Sequence, residues 1–394
     1  MTSILVGVLG ILIMFFVAFL MSNDKKNINY RAVIILFVLQ LVVTAFMLNT
    51  TIGGVILKAI ADGFAKVMAF GSDGVAFVFG GFQFQDNTIP FFISVLLLVV
   101  FTSTILSILN YIRVLPLLIK YLGGIVSKIT GLPRILSFST VASSVFGDTG
   151  ALLAIKDHIP SFNRNQLFVA TTASMTSVSA SIVASYMQMV PSEYVLIALP
   201  LNVMSGLILS TIVAPVKEIE VEIDINKMVK EKTFFEAVGN GAIDGMKVVG
   251  VVAAMLIAYV GLFALVNWGV QSITGLKIET ILGYVLSPVA WIMGIPWNEA
   301  VTAGGSMATK IVANEFVAML GFKPVMADLS HKTVGIVSTF FISFANFSSI
   351  GIIQGTVQSF SQEKGADVAK FGLKMLLVAT MASVLSATIV GLFL

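Results

Sequence analysis

The residues best suited to bind a polar solute lie in two short segments of this 394-residue chain. Asn314 and Glu315 are adjacent in one segment, and Phe344, Asn346 and Ser349 lie together in the other. A carboxylate can accept two hydrogen bonds from neighbouring hydroxyls, while an amide both donates and accepts. We therefore expect these residues to bind a polar, uncharged and partly aromatic solute.

A second polar group lies earlier in the chain, where Asp148 and Thr149 occur in the sequence GDTG. Hydroxyl residues follow it at Ser174, Thr176, Ser177, Ser179 and Ser181. Hydroxyls inside apolar helices often bond only to the backbone, which explains most of these serines without a functional role. Glu315 is different, because a buried carboxylate is costly and needs a partner or a proton.

Composition places these polar groups in a membrane protein. The chain is 57% hydrophobic and 11% charged, whereas a soluble domain is about 25% charged. Several apolar runs reach the roughly 20 residues that a helix needs to cross a bilayer, and long unbroken runs do not fit a β-barrel. The absence of cysteine excludes disulfides and thiolate chemistry, and the scattered basic residues give no support for nucleic-acid binding.

The apolar runs predict an all-α polytopic protein with eight transmembrane helices. These spans are 3–21, 32–48, 90–110, 165–189, 194–213, 246–268, 333–354 and 373–394. Two further stretches, 121–160 and 280–322, are apolar but have polar residues near their middle, which predicts two re-entrant hairpins. The segment 51–88 is expected to form an interfacial helix and a loop.

The order of spans and hairpins predicts an inverted repeat, which in secondary transporters places the substrate near the membrane midplane. The predicted segments are 1–110, mainly a scaffold with the interfacial helix; 111–213, the first repeat half; 214–245, a cytoplasmic connection; and 246–394, the second half. Most of the 23 basic residues become cytoplasmic when both termini lie outside.

Two other ionisable residues lie in the second hairpin. Lys310 is expected either to pair with a hairpin carboxylate or to extend toward the membrane surface. Glu299 and Asn298 are expected to cap the helix that begins beside them.

The sequences PWNEA, VANEFVAM (312–319) and SFANFSSIGII (343–353) resemble the concentrative nucleoside transporters, most closely the bacterial branch that includes proton-coupled members. The resemblance covers nearly the whole chain. It implies a homotrimer in the bacterial cytoplasmic (inner) membrane, with a scaffold domain and a transport domain that moves like an elevator. It also implies nucleoside symport with H⁺ or Na⁺, and no organic cofactor.

The resemblance also implies roles for individual residues. Glu315 matches the ribose-binding acid, and Asn314, Asn346, Ser349 and Phe344 match residues around the ribose. Base contacts are implied for Asp148, Thr149, Gly150 and Ile182. The family usually has Gly-Gln-(Thr or Ser)-Glu where this chain has Gly147-Asp148-Thr149-Gly150. We expect Gly150 to open volume at the base and Asp148 to accept N–H groups of a purine edge, which predicts a preference for purine nucleosides.

The same comparison bears on the coupling ion. Sodium-coupled members have an asparagine where this chain has Ser143, while Ser177 and the carbonyls of Phe146 and Val178 remain available as oxygen ligands. Losing an amide oxygen weakens a site for a hard cation, and Asp148 offers a group that can take up a proton. We therefore expect H⁺ rather than Na⁺, and no resident metal.

Rival functions have less support. An elevator-type carrier for another small polar or anionic solute could use helix-end dipoles, although Asp148 and Glu315 disfavour an anion. The chain has no metal-ligand spacing, nucleophile elbow or phosphate loop, so we do not expect an enzyme. The paired hairpins disfavour a passive channel.

Overall fold

The regular structure is helical throughout the part of the chain that the computed structural model describes, which is residues 2–82, 89–217, 228–229 and 231–394. The α-helices are α1 (Thr2–Leu20), α2 (Tyr30–Asn49), α3 (Thr51–Phe79), α4 (Leu98–Tyr111), α5 (Val114–Thr130), α6 (Arg134–Ala154), α7 (Arg164–Met175), α8 (Ala180–Tyr186), α9 (Ser192–Val213), α10 (Phe234–Thr274), α11 (Ile278–Ile292), α12 (Trp297–Val312), α13 (Glu315–Phe322), α14 (His331–Phe341), α15 (Phe347–Phe360) and α16 (Gln362–Leu392). The predicted all-α membrane fold is confirmed.

Membrane-length helices agree with the predicted spans. In the described ranges, seven helical segments are long and apolar enough to cross a membrane, or eight if the bent pair α11 and α12 counts as one. The seven are α1, α2, α4 with the π-helical turn before it, the broken pair α7–α8, α9, α10 and α16. The remaining predicted span, 333–354, corresponds to α14 and α15, which are separated by non-helical residues 342–346.

The two predicted hairpins are shorter than expected. Residues 121–160 do not form one hairpin, because α5 ends at Thr130 and a separate helix, α6, begins at Arg134. Likewise, α11 is a separate helix that meets α12 at a bend of 116°. In both places a Gly-x-Pro sequence divides the helices, with Gly131 at φ 72° and Gly294 at φ 95°. A left-handed glycine ends a helix and a proline starts the next one.

Each hairpin has a sharp tip. The tip of α6 lies at Gly147, whose φ of 76° and ψ of −172° are accessible mainly to glycine. The second tip consists of Ala313 and Asn314, between α12 and α13. The order of elements therefore repeats: α4 to α9 corresponds to α10 to α16, with an intervening short helix, a hairpin, a broken helix and a closing helix in each half.

The closing helices α9 and α16 lie in the centre of the molecule, and both are largely buried. In contrast, α10 is 41 residues long and mostly exposed. Buried polar contacts join the centre to α2, where the Gln40 amide donates to the Ser205 hydroxyl at 2.6 Å. The Ser386 hydroxyl of α16 donates to the same oxygen at 2.9 Å.

Segment boundaries differ in detail from the prediction. The predicted start of the second half, residue 246, falls inside α10, which begins at Phe234. Helix α3 matches the start of the predicted interfacial segment. Residues 83–88 of that segment, and residues 218–227 and 230 of the predicted connection, lie outside the described residues. The division into a scaffold and two repeat halves stays a prediction.

Candidate substrate site

A cavity of about 310 Å³ lies where the two hairpin tips approach the starts of α8 and α15. Apolar residues of α10, including Val251 and Met255, line the facing side. The structure brings together in this cavity most of the residues predicted to bind substrate. They are Glu315, Asn314, Asn346, Ser349, Phe344, Asp148, Thr149 and Ile182.

Glu315 is the first residue of α13 and is buried. Its Oε1 accepts a hydrogen bond of 2.8 Å from the Tyr186 hydroxyl. Its Oε2 accepts one of 3.3 Å from the Asn346 amide nitrogen. These two donors provide the partners that a buried carboxylate requires, and they connect the second hairpin to both broken helices.

Tyr186 is a site residue that the sequence analysis missed. It is the last residue of α8 and is fully buried. Its ring packs on Phe316 with centroids 5.0 Å apart. A tyrosine inside an apolar span usually has a partner for its hydroxyl, and that requirement was the available signal. The sequence does not show which acceptor the hydroxyl meets.

Asn346 and Asn314 both cap helices. The Asn346 Oδ1 accepts hydrogen bonds from the Ser349 backbone N–H at 3.0 Å and from the Ser348 and Ser349 hydroxyls at 2.7 and 3.1 Å. The Asn314 Oδ1 accepts from the Val317 backbone N–H at 2.9 Å. Because capping occupies the oxygens, the amide nitrogens are the groups left to act as donors in the cavity.

Asp148 follows the first tip directly and is buried. Its Oδ1 accepts a 2.7 Å hydrogen bond from the Thr149 backbone N–H. The second half reaches this region through Phe344, whose backbone N–H donates to the Ser177 carbonyl at 3.3 Å. The breaks of the two broken helices are therefore in direct contact.

Gly150 does not line this cavity. It lines a neighbouring cavity of about 370 Å³, together with Phe146. A Cβ added at Gly150 would lie 2.5 Å from the Phe146 Cβ. A side chain at position 150 would therefore require Phe146 to shift, and the open space beside Gly150 belongs to the neighbouring cavity. A base-binding role for Gly150 stays a prediction.

The residues suggested for a coupling ion lie behind the first tip. The Ser143 and Ser177 hydroxyl oxygens are buried and 2.8 Å apart, and the Ser143 hydroxyl also lies 2.7 Å from the Thr140 carbonyl. Val178 is buried beside them, whereas Phe146 reaches both cavities. These hydroxyls and carbonyls are ligands of the type that hard cations use, and their role in coupling stays a prediction.

Two expectations about the second hairpin are wrong. Lys310 does not reach the surface, and within the described residues it makes no direct ion pair with a carboxylate: it is fully buried and its Nζ donates to the Ser343 hydroxyl at 2.6 Å. Neither Glu299 nor Asn298 caps α12, whose N-cap is Pro296 and which has no side-chain cap hydrogen bond. The two carboxylate oxygens of Glu299 instead accept from the Ser330 backbone N–H at 3.2 Å and hydroxyl at 2.8 Å, because Ser330 begins the neighbouring helix α14.

A repeated order of helices, broken helices, membrane-length helices and a polar cavity between hairpin tips are typical of a secondary transporter. Three family models match the chain: "Na+ dependent nucleoside transporter N-terminus" over residues 9–82, "Nucleoside recognition" over 92–193, and "Na+ dependent nucleoside transporter C-terminus" over 194–391. The chain belongs to the concentrative nucleoside transporter family, so it is a multi-pass membrane transporter and not an enzyme.

Relatives cover the whole length of the chain. It is 39% identical to the purine nucleoside transport protein NupG of Bacillus subtilis, over 99% of both chains. The structure of CNTnw in an inward-facing substrate-bound state matches with a TM-score of 0.94 and 32% identity, over 100% of both chains. A substituted CNTnw in an outward-facing state also matches with a TM-score of 0.94, at 31% identity, over 100% of this chain and 98% of that one.

Proposed function

We propose that this protein takes up nucleosides, with purine nucleosides preferred, in symport with H⁺ rather than Na⁺. The observation that carries the proposal is the buried Glu315 carboxylate, which is held between Tyr186 and Asn346 at the meeting point of the two hairpin tips. An elevator-like movement of the hairpins and broken helices carries the bound solute across the membrane.

We infer ribose binding from the hydrogen-bond acceptor positions of Glu315 that Tyr186 and Asn346 do not use. An ionised carboxylate offers about four acceptor positions. Tyr186 and Asn346 use one position on each oxygen, so each oxygen can accept one more hydrogen bond. Vicinal ribose hydroxyls present two donors at a matching spacing, and charge-assisted hydrogen bonds of this kind are strong. Asn314 and Ser349 add polar groups beside them.

The base is assigned to the other end of the cavity, near Asp148, Thr149 and Ile182. Asp148 has a carboxylate oxygen free to accept N–H groups from guanine or hypoxanthine, since only one oxygen bonds to Thr149. A relative of high identity is named as a purine nucleoside transport protein, which supports the same preference. Gly150 gives it no support, because Gly150 lines the neighbouring cavity and not this one.

Coupling to H⁺ is favoured by the chemistry of the two tips. Asp148 and Glu315 are buried carboxyl groups that could take up a proton. At Ser143 a hydroxyl stands where sodium-coupled members have an amide, and it lies against the Ser177 hydroxyl. The rival ion is Na⁺, and the rival function is an elevator-type carrier for another small polar or anionic solute. Two carboxylates at the tips disfavour an anion.

The proposed assembly is a homotrimer in the bacterial cytoplasmic membrane with both termini outside. Helix α10 exposes large apolar side chains, including Ile257, Trp268 and Ile273, which suit lipid or a neighbouring subunit. The equal similarity to inward- and outward-facing CNTnw supports an alternating cycle on one fold.

The decisive experiment is labelled inosine uptake into proteoliposomes with pH and Na⁺ gradients imposed separately. We expect uptake against a concentration gradient that follows the pH gradient, with stronger competition by guanosine than by uridine. Uptake that requires Na⁺ at fixed pH and persists with a protonophore would reverse the ion assignment. Stronger competition by uridine would overturn the purine preference.

Glu315→Gln tests the ribose site in the same assay. An amide cannot accept from two hydroxyls as a carboxylate does, so near-complete loss of uptake is expected. Glu363→Gln is the matched control, since its side chain is exposed at the start of α16. Normal uptake by Glu315→Gln would remove the ribose assignment.

A further inference from the structure

Lys310 is fully buried, although its side chain ends in an amine that is positively charged in water. Among the residues that the structure describes, no other lysine or arginine is buried. Its Nζ donates to the Ser343 hydroxyl at 2.6 Å and lies 4.7 Å from the centroid of the Phe340 ring. One neutral hydroxyl and one ring face do not replace the hydration of an ammonium group, because burying an unpaired charge carries a large desolvation penalty. A buried ammonium group therefore either loses its proton or is kept charged by a negative group nearby.

That charge is available across the hairpin tip. Lys310 lies in the last turn of α12, and Glu315 begins α13 on the other side of the tip. Both side chains reach the same break between α14 and α15, Lys310 at Ser343 and Glu315 at Asn346. Among the described residues they make no direct ion pair within 4 Å. Opposite charges attract over longer distances where the effective dielectric constant is low. Glu315 is thus the buried carboxylate of the same hairpin that can act as a counter-charge to Lys310.

In each half of the fold, a hairpin side chain contacts a serine in the break of the following helix, but the two contacts differ in chemistry. In the first half, the Ser143 hydroxyl of the hairpin lies 2.8 Å from the Ser177 hydroxyl in the break after α7. In the second half, Lys310 reaches Ser343 in the break after α14. Ser143 precedes Asp148 by five positions (148 − 143), and Lys310 precedes Glu315 by five (315 − 310). The hairpin–break contact is therefore neutral in one half and positively charged in the other.

The contact also extends into the centre of the molecule. The Ser343 hydroxyl lies 2.7 Å from the Ser383 hydroxyl of α16, which donates in turn to the Ala379 carbonyl at 3.2 Å. This chain of polar groups fixes the Lys310 ammonium relative to α12, the α14–α15 break and α16. The ammonium is consequently held in place and is not free to follow a moving ligand.

We propose that Lys310 is a positioning residue that serves as a tethered cation, supplying in the second hairpin the positive charge that balances Glu315 and holds the hairpin against the α14–α15 break. The charge balance goes beyond the proposed function, because it operates in the protein without a nucleoside bound. Lys310 acts through Glu315 and Ser343 and need not touch the substrate.

The test is a double-mutant cycle on the melting temperature of the purified, nucleoside-free protein. Lys310→Met keeps the length of the side chain but removes the charge, so it leaves Glu315 buried without its counter-charge and lowers the melting temperature. Adding Glu315→Gln removes the stranded charge. We expect the double variant to recover roughly half or more of the loss, because contacting groups are not additive.

Two controls separate charge from packing. Ser343→Ala removes the hydrogen bond and keeps both charges, so Glu315→Gln is not expected to rescue it. Glu363→Gln removes an exposed carboxylate and is not expected to rescue Lys310→Met. If Lys310→Met cannot be purified, the yield of monodisperse protein extracted from membranes replaces the melting temperature, and the double variant should recover it.

The proposal is overturned if the double variant is as unstable as Lys310→Met or less stable, since removing the Glu315 charge then restores no stability. That result would not contradict the proposed uptake of nucleosides, which is measured separately. Conversely, if normal uptake by Glu315→Gln removed the ribose assignment, the double-mutant cycle would still test the charge balance, because it uses nucleoside-free protein.

Discussion

The Tyr186 hydroxyl and the Glu315 carboxylate are joined by a buried hydrogen bond of 2.8 Å. Tyr186 ends α8 in the first half of the fold, whereas Glu315 begins α13 in the second half. The acid of the candidate site is therefore oriented by a helix from the opposite half. Because the proposed elevator-like movement carries both hairpins and both broken helices, Glu315 keeps this partner while the solute crosses.

Tyr186→Phe is expected to weaken nucleoside binding about tenfold. A hydrogen bond to a charged group contributes about 1.5–3 kcal/mol, and about 1.4 kcal/mol corresponds to a factor of ten. Nucleoside affinity of the purified protein, measured by calorimetry, tests this expectation. Tyr194→Phe is the matched control. It removes a partly buried hydrogen bond between the Tyr194 hydroxyl and His331, which lies away from the cavity. Equal affinities for Tyr186→Phe and the parent protein would contradict the orienting role.

Asn314 combines a capping role with a proposed binding role, and two substitutions separate them. Asn314→Ser retains an N-cap oxygen and is expected to keep the melting temperature, while Asn314→Ala is expected to destabilise the protein by about 1 kcal/mol. Both variants lack the amide nitrogen, so both should bind nucleoside more weakly. If Asn314→Ser binds as tightly as the parent, the amide has only the capping role.

Gly150→Ala is expected to destabilise the first hairpin by about 1–3 kcal/mol through overpacking. The new Cβ would lie 2.5 Å from the Phe146 Cβ, so Phe146, which lines both cavities, must move. Thermal unfolding and nucleoside affinity should change together. Gly124→Ala in α5 is the control, because a Cβ there meets no atom within 4 Å. An unchanged melting temperature for Gly150→Ala would contradict the prediction, because it would show that Phe146 shifts without a loss of stability.

Asp148→Asn tests base recognition and coupling in one variant. The amide offers one acceptor and two donors where the carboxylate offers only acceptors. Competition of inosine uptake by guanosine should therefore fall relative to competition by uridine. If Asp148 carries the coupled proton, uptake should also lose its response to a pH gradient. A variant with unchanged competition and an unchanged pH response would exclude Asp148 from both roles.

The high free-energy cost of burying a charge made the centre of the site predictable. A carboxylate at membrane depth must be paired, which singled out Glu315 and, through the nearby polar break, Asn346. The division of the hairpins could also have been foreseen, since GLP at 131–133 and GIP at 294–296 combine a helix-ending glycine with a helix-starting proline.

Long-range partners could not be predicted in the same way. The contacts Tyr186–Glu315 and Glu299–Ser330 join residues far apart in the chain, and each depends on how helices from different elements pack. Hydrophobic periodicity shows which face of a helix is buried, but it does not show which polar atom lies opposite. The hydrogen-bond partner of Lys310 could not be predicted for the same reason, since Ser343 is one of many hydroxyl residues in apolar segments.

The buried charges of the site have an electrical consequence. Asp148, Glu315 and Lys310 are the buried charged residues of the described ranges, and with all three ionised one negative charge is uncompensated. A voltage that is negative inside the cell drives such a charge outward, with about 2.3 kcal/mol per 100 mV for a full crossing. One bound cation cancels that force. Voltage is then expected to accelerate the return of the empty carrier, while the entry of the loaded carrier is electrically silent.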